Sequence, residues 1–212
     1  MRLDCTRRAL LALAATSSLP PLGSRAALAA TSFEDLTRLK GLEDKSVQQY
    51  DLAPLTGLQR TCLSAAGKQQ SSMADYLAKG QYVVLWIFPA DEIGLERSNN
   101  ELEARNFQKL KADFDDLDAV VLGVTSQPEK RVRELIEREK LTIPFFSDPS
   151  RELIRAYTNA DDRVTFVIDP QGTVRFAERN IQYNVGNFNL ENHATRVSRQ
   201  LYQIRNRDGW AV

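Results

Sequence analysis

At 212 residues, with 42% hydrophobic and 26% charged side chains, the chain has the composition of one well-packed globular domain rather than a low-complexity or fibrous protein. Its 28 basic and 28 acidic side chains balance, so it lacks the surplus positive charge that a nucleic-acid or anionic-membrane surface demands. Two cysteines and one histidine are too few for a disulfide framework or a zinc centre.

The first segment reads as an export signal. Arg2, Arg7 and Arg8 make a basic start, Ala9 to Ala15 a mildly apolar run, and Ala27-Leu28-Ala29 a small-x-small cleavage site, which assigns residues 1–29 to the signal. Thr6-Arg7-Arg8-Ala9-Leu10-Leu11 is similar to the twin-arginine signature, with the general secretory route as the alternative. Thr16-Ser17-Ser18 and Pro20-Pro21 interrupt the apolar run, so no lasting membrane span is expected. The mature chain is expected to begin near Ala30 and to reside in the periplasm or, in a photosynthetic source, the thylakoid lumen. Removing Arg2, Arg7, Arg8, Arg25 and Asp4 leaves 24 basic and 27 acidic side chains, a net charge of about −3. Cys5 leaves with the signal, and Cys62 becomes the sole thiol.

Residues 30–57 read as a helical lead-in, with Phe33, Leu36, Leu39 and Leu42 at near-helical spacing before Pro54 and Gly57. A domain over 58–206 follows, with 207–212 as a tail. Thr61 to Ser64 predicts a strand, Ala66-Gly67-Lys68 a turn, and Ser72 to Leu77 a short helix. Tyr82 to Phe88 is an apolar run bounded by Pro89, the pattern of a fully buried central strand, and it delivers the chain to a helix start. Asn99 to Phe114 carries Leu102, Phe107, Leu110 and Phe114 on one helical stripe. Ala119 to Val124 is a second apolar strand, so strand, helix and strand form a right-handed parallel crossover.

Ser126-Gln127-Pro128-Glu129 predicts a capping box at the next helix. Ile143 to Phe146 is short and extended, Pro149 to Tyr157 a helix, and Val164 to Ile168 a third apolar strand. Asp169-Pro170-Gln171-Gly172 turns the chain into an antiparallel edge strand, Thr173 to Ala177. A last helix, Leu190 to Arg205, turns Ala194, Val197, Leu201 and Ile204 inward. The order β-α-β-α then β-β-α implies an α/β protein with a thioredoxin-like fold: a central mixed sheet with helices on both faces.

Gly67-Lys68, the run Tyr82 to Pro89, Val121-Leu122-Gly123-Val124-Thr125, Pro144-Phe145-Phe146-Ser147-Asp148-Pro149, Ala156-Tyr157 and Arg163 to Gly172 together resemble a peroxiredoxin of the AhpC/TSA superfamily, of the peroxiredoxin Q or bacterioferritin-comigratory-protein type. The resemblance covers roughly Leu58 to Phe176. It implies a proline, a threonine or serine, and a peroxidatic cysteine after the central strand, with an arginine from a later strand holding the thiolate. Pro89 matches the proline and Arg163 the arginine. In the gapless register Ile93 stands for the threonine and Glu96 for the cysteine. Two extra loop residues would put Ser98 at the cysteine position and Glu101 just after it. Neither register contains a thiol, and a serine hydroxyl stays protonated near neutrality and lacks the soft sulfur that attacks an O–O bond.

The expected function is therefore an exported, peroxiredoxin-like binding or accessory protein with a degenerate site, serving a protein partner or a second copy of itself. Two alternatives remain: a thiol-dependent antioxidant peroxidase working through Cys62 and an external thiol, and a small-anion binder at Arg163. No cofactor or metal is expected, because His193 stands alone in a polar helix start. Arg163 is expected to pair with Asp161, Asp162 or Glu96, and Cys62 to be a buried small hydrophobe. Trp86, Phe88, Phe145, Phe146 and Phe166 read as core, Tyr183 to Phe188 as a long irregular loop, and Glu134, Glu137, Arg138 and Glu139 as a solvated helix face.

Overall fold

A computed structural model describes residues 46–88, 95–158, 163–179, 181 and 192–209, and for residues 95–98 the backbone alone. In chain order these form β1 (Arg60–Ser64), β2 (Gly67–Ser71), α1 (Met73–Leu77), β3 (Tyr82–Phe88), α2 (Leu95–Lys109), α3 (Lys111–Asp116), β4 (Ala119–Thr125), α4 (Glu129–Glu139), β5 (Phe145–Ser147), α5 (Glu152–Tyr157), β6 (Val164–Ile168), β7 (Val174–Glu178) and α6 (His193–Arg207).

The seven strands make one mixed sheet in the order β2-β1-β5-β4-β3-β6-β7. Strand β3 lies inside it, parallel to β4 and antiparallel to β6. All seven of its residues are buried, as an apolar run covered on both faces must be. Alternate side chains feed two cores. On one face Val84, Trp86 and Phe88 meet Ala104 and Phe107 of α2, Phe114 of α3, and Ala194, Val197 and Leu201 of α6. On the other, Val83, Leu85 and Ile87 meet Met73 of α1 and Leu153, Ile154 and Tyr157 of α5. The five aromatics expected in the core are all buried, with Trp86 stacked on Phe88 at 4.3 Å between ring centres.

The α/β thioredoxin-like fold is present, with several local departures from expectation. The segment read as a turn, Ala66-Gly67-Lys68, opens into an edge strand that pairs residue by residue with β1, from Arg60 opposite Ser71 to Ser64 opposite Gly67. The helix expected to run from Asn99 to Phe114 starts at Leu95 and breaks after Lys109, and α3 resumes at Lys111. Leu102, placed on its inward stripe, is 40% exposed; Asn100 and Glu103 are buried instead. The capping box before α4 does not form, because Pro128 is itself the N-cap, in extended conformation and without a side-chain cap bond. Helix α4 is not simply solvated either. Arg138 reaches Glu101 at 2.6 Å, and Glu139 accepts from Arg105 at 2.8 Å, tying α4 to α2.

Residues 46–58 contain no helix; they form a strap along β7, with Val47, Ala53 and Leu55 in the second core. The expected helix positions Phe33 to Leu42 lie outside the described residues, as does the loop Tyr183 to Phe188. Among the described residues no helix is long and apolar enough to cross a membrane.

Candidate functional site

In an open α/β sheet reactive groups gather beyond the carboxyl ends of the strands, which here means beyond β3 and before α2. Pro89 and Ile93 lie outside the described residues, and the side chains of Glu96 and Ser98 do too, although α2 includes both positions. The residue brought to this helix from across the sheet is Arg163. It precedes β6, whose Val164 sits opposite Ile87 of β3, so the guanidinium emerges beside the end of the central strand. Its Nε donates to Oδ1 of Asn100 at 3.1 Å. Asn100 is buried in the second turn of α2. The expected partners Asp161 and Asp162 lie outside the described residues, and the partner that is seen, Asn100, escaped the sequence reading. Its only signal was an amide on a helical stripe that also carries Phe107.

One turn further along α2, Glu103 is 1% exposed and points at the single histidine. Its Oε1 lies 2.7 Å from Nδ1 of His193, the first residue of α6, and its Oε2 accepts from Asn106 at 3.3 Å. With Glu103 ionised the carboxylate can only accept, so Nδ1 carries the proton and Nε2 faces the other way. There it lies 3.7 Å from Oε2 of Glu178 at the end of β7, beyond hydrogen-bond length, while Glu178 Oε1 is held by Arg196 at 2.6 Å. The imidazole packs edge-on against Phe107, ring centres 5.6 Å apart. The sequence placed His193 in a polar helix start; the structure buries it between two acids. Among the described residues no group of three histidine, cysteine or acidic side chains is arranged to hold a metal ion.

Cys62 is elsewhere. It lies mid-strand in β1, paired with Gln69 and Phe146, is fully buried, and belongs to the core opposite α2. Four strand positions separate β1 from β6, which at about 4.8 Å per strand is about 19 Å. Its Sγ lies 3.9 Å from the Tyr76 hydroxyl. Burial pushes the thiol above its ordinary value against weaker help from Tyr76 and Gln69. Burial likewise raises Tyr76, to about 12, with the neighbouring Cys62 adding to the shift. A thiol kept protonated in an apolar setting is a poor nucleophile. The structure thus brings Arg163 to α2 and leaves Cys62 on the far side of the sheet.

Comparison with known proteins agrees with this architecture. The AhpC/TSA family matches residues 51–177. "Alkyl hydroperoxide reductase C" of Mycobacterium tuberculosis is 30% identical over 138 residues, 60% of this chain and 69% of that protein. The Mycolicibacterium smegmatis protein of the same name is 33% identical over 141 residues, again 60% and 69%. Among solved structures, Mycobacterium tuberculosis AhpC superposes with a TM-score of 0.62 at 25% identity, over 77% of this chain and 96% of that one. Xanthomonas campestris peroxiredoxin Q superposes with a TM-score of 0.60 at 22% identity, covering 74% and 97%.

Proposed function

Because the chain belongs to the AhpC/TSA family, we propose that it is a peroxiredoxin-fold protein that has given up peroxide reduction and acts as a binding or accessory protein. Alkyl hydroperoxide reduction by a thiol requires a thiolate whose sulfur attacks the O–O bond. The sulfur becomes a sulfenic acid and the alcohol leaves with a proton; one outside thiol then condenses with the sulfenic acid to a mixed disulfide with loss of water, and a second restores the thiol and leaves as the donor disulfide. Positions 89–98 contain no cysteine, and the chain has cysteines only at 5 and 62. The observation that carries the reading is the placement of Cys62: fully buried, raised in pKa, and on the face of the sheet away from α2. Without the nucleophile, Arg163 and the helix start have nothing to activate.

The test is peroxide consumption by the purified mature protein, with and without a dithiol donor. Consumption no faster than buffer is expected. Thiol-dependent turnover that disappears in Cys62→Ser would overturn the reading and make Cys62 the catalyst.

We also propose that residues 1–29 are removed and that the mature protein is exported, to a periplasm or a thylakoid lumen, where it binds a protein partner or a second copy of itself. The basic start, interrupted apolar run and Ala27-Leu28-Ala29 site support this. Intact-mass measurement on protein from the native host is expected to give a chain beginning near Ala30. Retention of Met1 would refute export by cleavage.

A further inference from the structure

Among the described residues, Trp86 Nε1, Thr165 Oγ1 and His193 Nε2 are buried on the α2 side of the sheet without a hydrogen-bond partner. They are not scattered. Trp86 on β3 is directly opposite Thr165 on β6, and Thr165 is directly opposite Glu178 on β7. Directly opposed residues project to the same face, so Trp86, Thr165 and Glu178 form one row across three strands, at about 4.8 Å per strand. The row runs beneath α2 and α6. Trp86 and His193 both pack on Phe107, with ring centres at 5.3 and 5.6 Å. His193 Nε2 closes the row by facing Glu178 Oε2.

Leaving such atoms unbonded is costly, and native proteins satisfy nearly all of them with protein or with internal water. The chemistry here matches a small hydroxylic molecule. The indole N–H only donates, the threonine hydroxyl donates and accepts, and Nε2 of a neutral imidazole whose Nδ1–H is committed to Glu103 accepts. Water both accepts from the indole and donates to the threonine and the imidazole, and internal waters commonly make about three such bonds. A cation does not fit, since Trp86 offers no lone pair and no metal-ligating trio is present among the described residues.

We propose that this row is a built water site: one water seated over Thr165, accepting from Trp86 Nε1 and bonded to Thr165 Oγ1, and reaching His193 Nε2 directly or through a second water. The Glu103–His193 pair between α2 and α6 is then joined to the central strand by hydrogen bonds as well as by apolar packing. Such a water would be held whether or not the protein reduces peroxides.

The test uses the full mature chain with Trp210→Phe, so that Trp86 supplies the only indole N–H signal. Water-selective NMR is expected to show a cross-peak between that N–H and a long-lived water, retained in Thr165→Ser and lost or strongly reduced in Thr165→Val. A high-resolution crystal structure of the unmodified protein is expected to show a density peak within hydrogen-bond reach of both Trp86 Nε1 and Thr165 Oγ1. No such peak in an otherwise well-defined core would overturn the proposal, as would a water cross-peak equally strong in Thr165→Val. The crystallographic arm stands whether or not the variants fold.

Discussion

Glu103 on α2 and His193 on α6 meet at 2.7 Å with both side chains almost completely removed from solvent. Taking away one member of such a pair strands the other, and an uncompensated buried charge costs about 3–5 kcal/mol. His193→Ala is therefore expected to lower the unfolding free energy by about 3 kcal/mol or more. The double change Glu103→Leu with His193→Leu should cost clearly less than the two single changes added together. Urea unfolding of the native protein, the two leucine single variants and the double variant measures the coupling, and a loss under about 1 kcal/mol in His193→Ala would contradict the assigned role.

Cys62 makes stability depend on alkali. Its thiol is raised in the fold by burial, so the unfolded chain ionises first. The contribution is intact below the ordinary thiol value, about 8.5, and is lost as pH rises toward the raised one. Between pH 7.5 and 9.5 the native protein is expected to lose more stability than Cys62→Ala does. Tyr76, likewise raised in the fold, begins to lose its own contribution only near the ordinary tyrosine value, about 10, above that window. Disulfide-exchange reagents should label Cys62 slowly in the native protein and at once in denaturant. Rapid native labelling would show an accessible thiol and revive the peroxidase reading.

The opposite sign applies at Asp208, just past α6. Burial works against its ionised form, but bonds from Arg175 and the Tyr82 hydroxyl outweigh that and hold the carboxyl below its usual range. Arg175 grips both carboxylate oxygens, at 2.8 and 2.9 Å. The groups are partly solvated, so Asp208→Asn is expected to cost only about 1 kcal/mol near neutrality. A depressed carboxyl contributes fully above the unfolded value, about 3.9, and fades as pH falls through the folded one. Native and variant unfolding curves should converge in strong acid. A gap that persists there would assign the loss to packing.

At Gly123 in β4, a Cβ would stand 2.4 Å from Cδ1 and 2.5 Å from Cε1 of Phe145 on the neighbouring strand. Phe145 is fully buried and cannot swing away. Gly123→Ala is expected to destabilise by about 1–3 kcal/mol, and Phe145→Leu in the same chain should recover part of it. Thermal melts of the two variants decide this, and an unchanged melting temperature in Gly123→Ala would refute the contact.

What the sequence made legible follows the strength of its patterns. Strands β3, β4 and β6 were readable because strands buried on both faces have almost no freedom of composition. Strand β2 was not, since Gly67-Lys68-Gln69-Gln70-Ser71 is an edge held by main-chain bonds to β1, and polar side chains carry no trace of that. On α2 the hydrophobic pattern misled. Asn100 and Glu103 are not part of the inward stripe of Leu102, Phe107, Leu110 and Phe114, yet they face inward, bonded to Arg163 and His193, 63 and 90 positions away. Burial of a polar residue depends on a partner, and local sequence does not name a partner that distant. The family signature was readable for the same reason as the strands, whereas the meaning of its missing thiol depended on where Cys62 came to rest.

The strap over residues 47–53 imposes an order on folding. Tyr50 N–H donates to Val174 O at 2.6 Å, Ala53 N–H to Gly172 O at 2.8 Å, and the Gln49 side chain to Arg175 O, 126 positions along the chain. At about 5–20 residues per second of synthesis, the strap leaves the ribosome several seconds before the strand it docks on exists. Val47, Ala53 and Leu55, which end up in the second core, must wait exposed until β7 has been made and paired. Closure of the second core is thus a late, post-translational step, and a nascent chain arrested before Val174 should leave the strap open to protease.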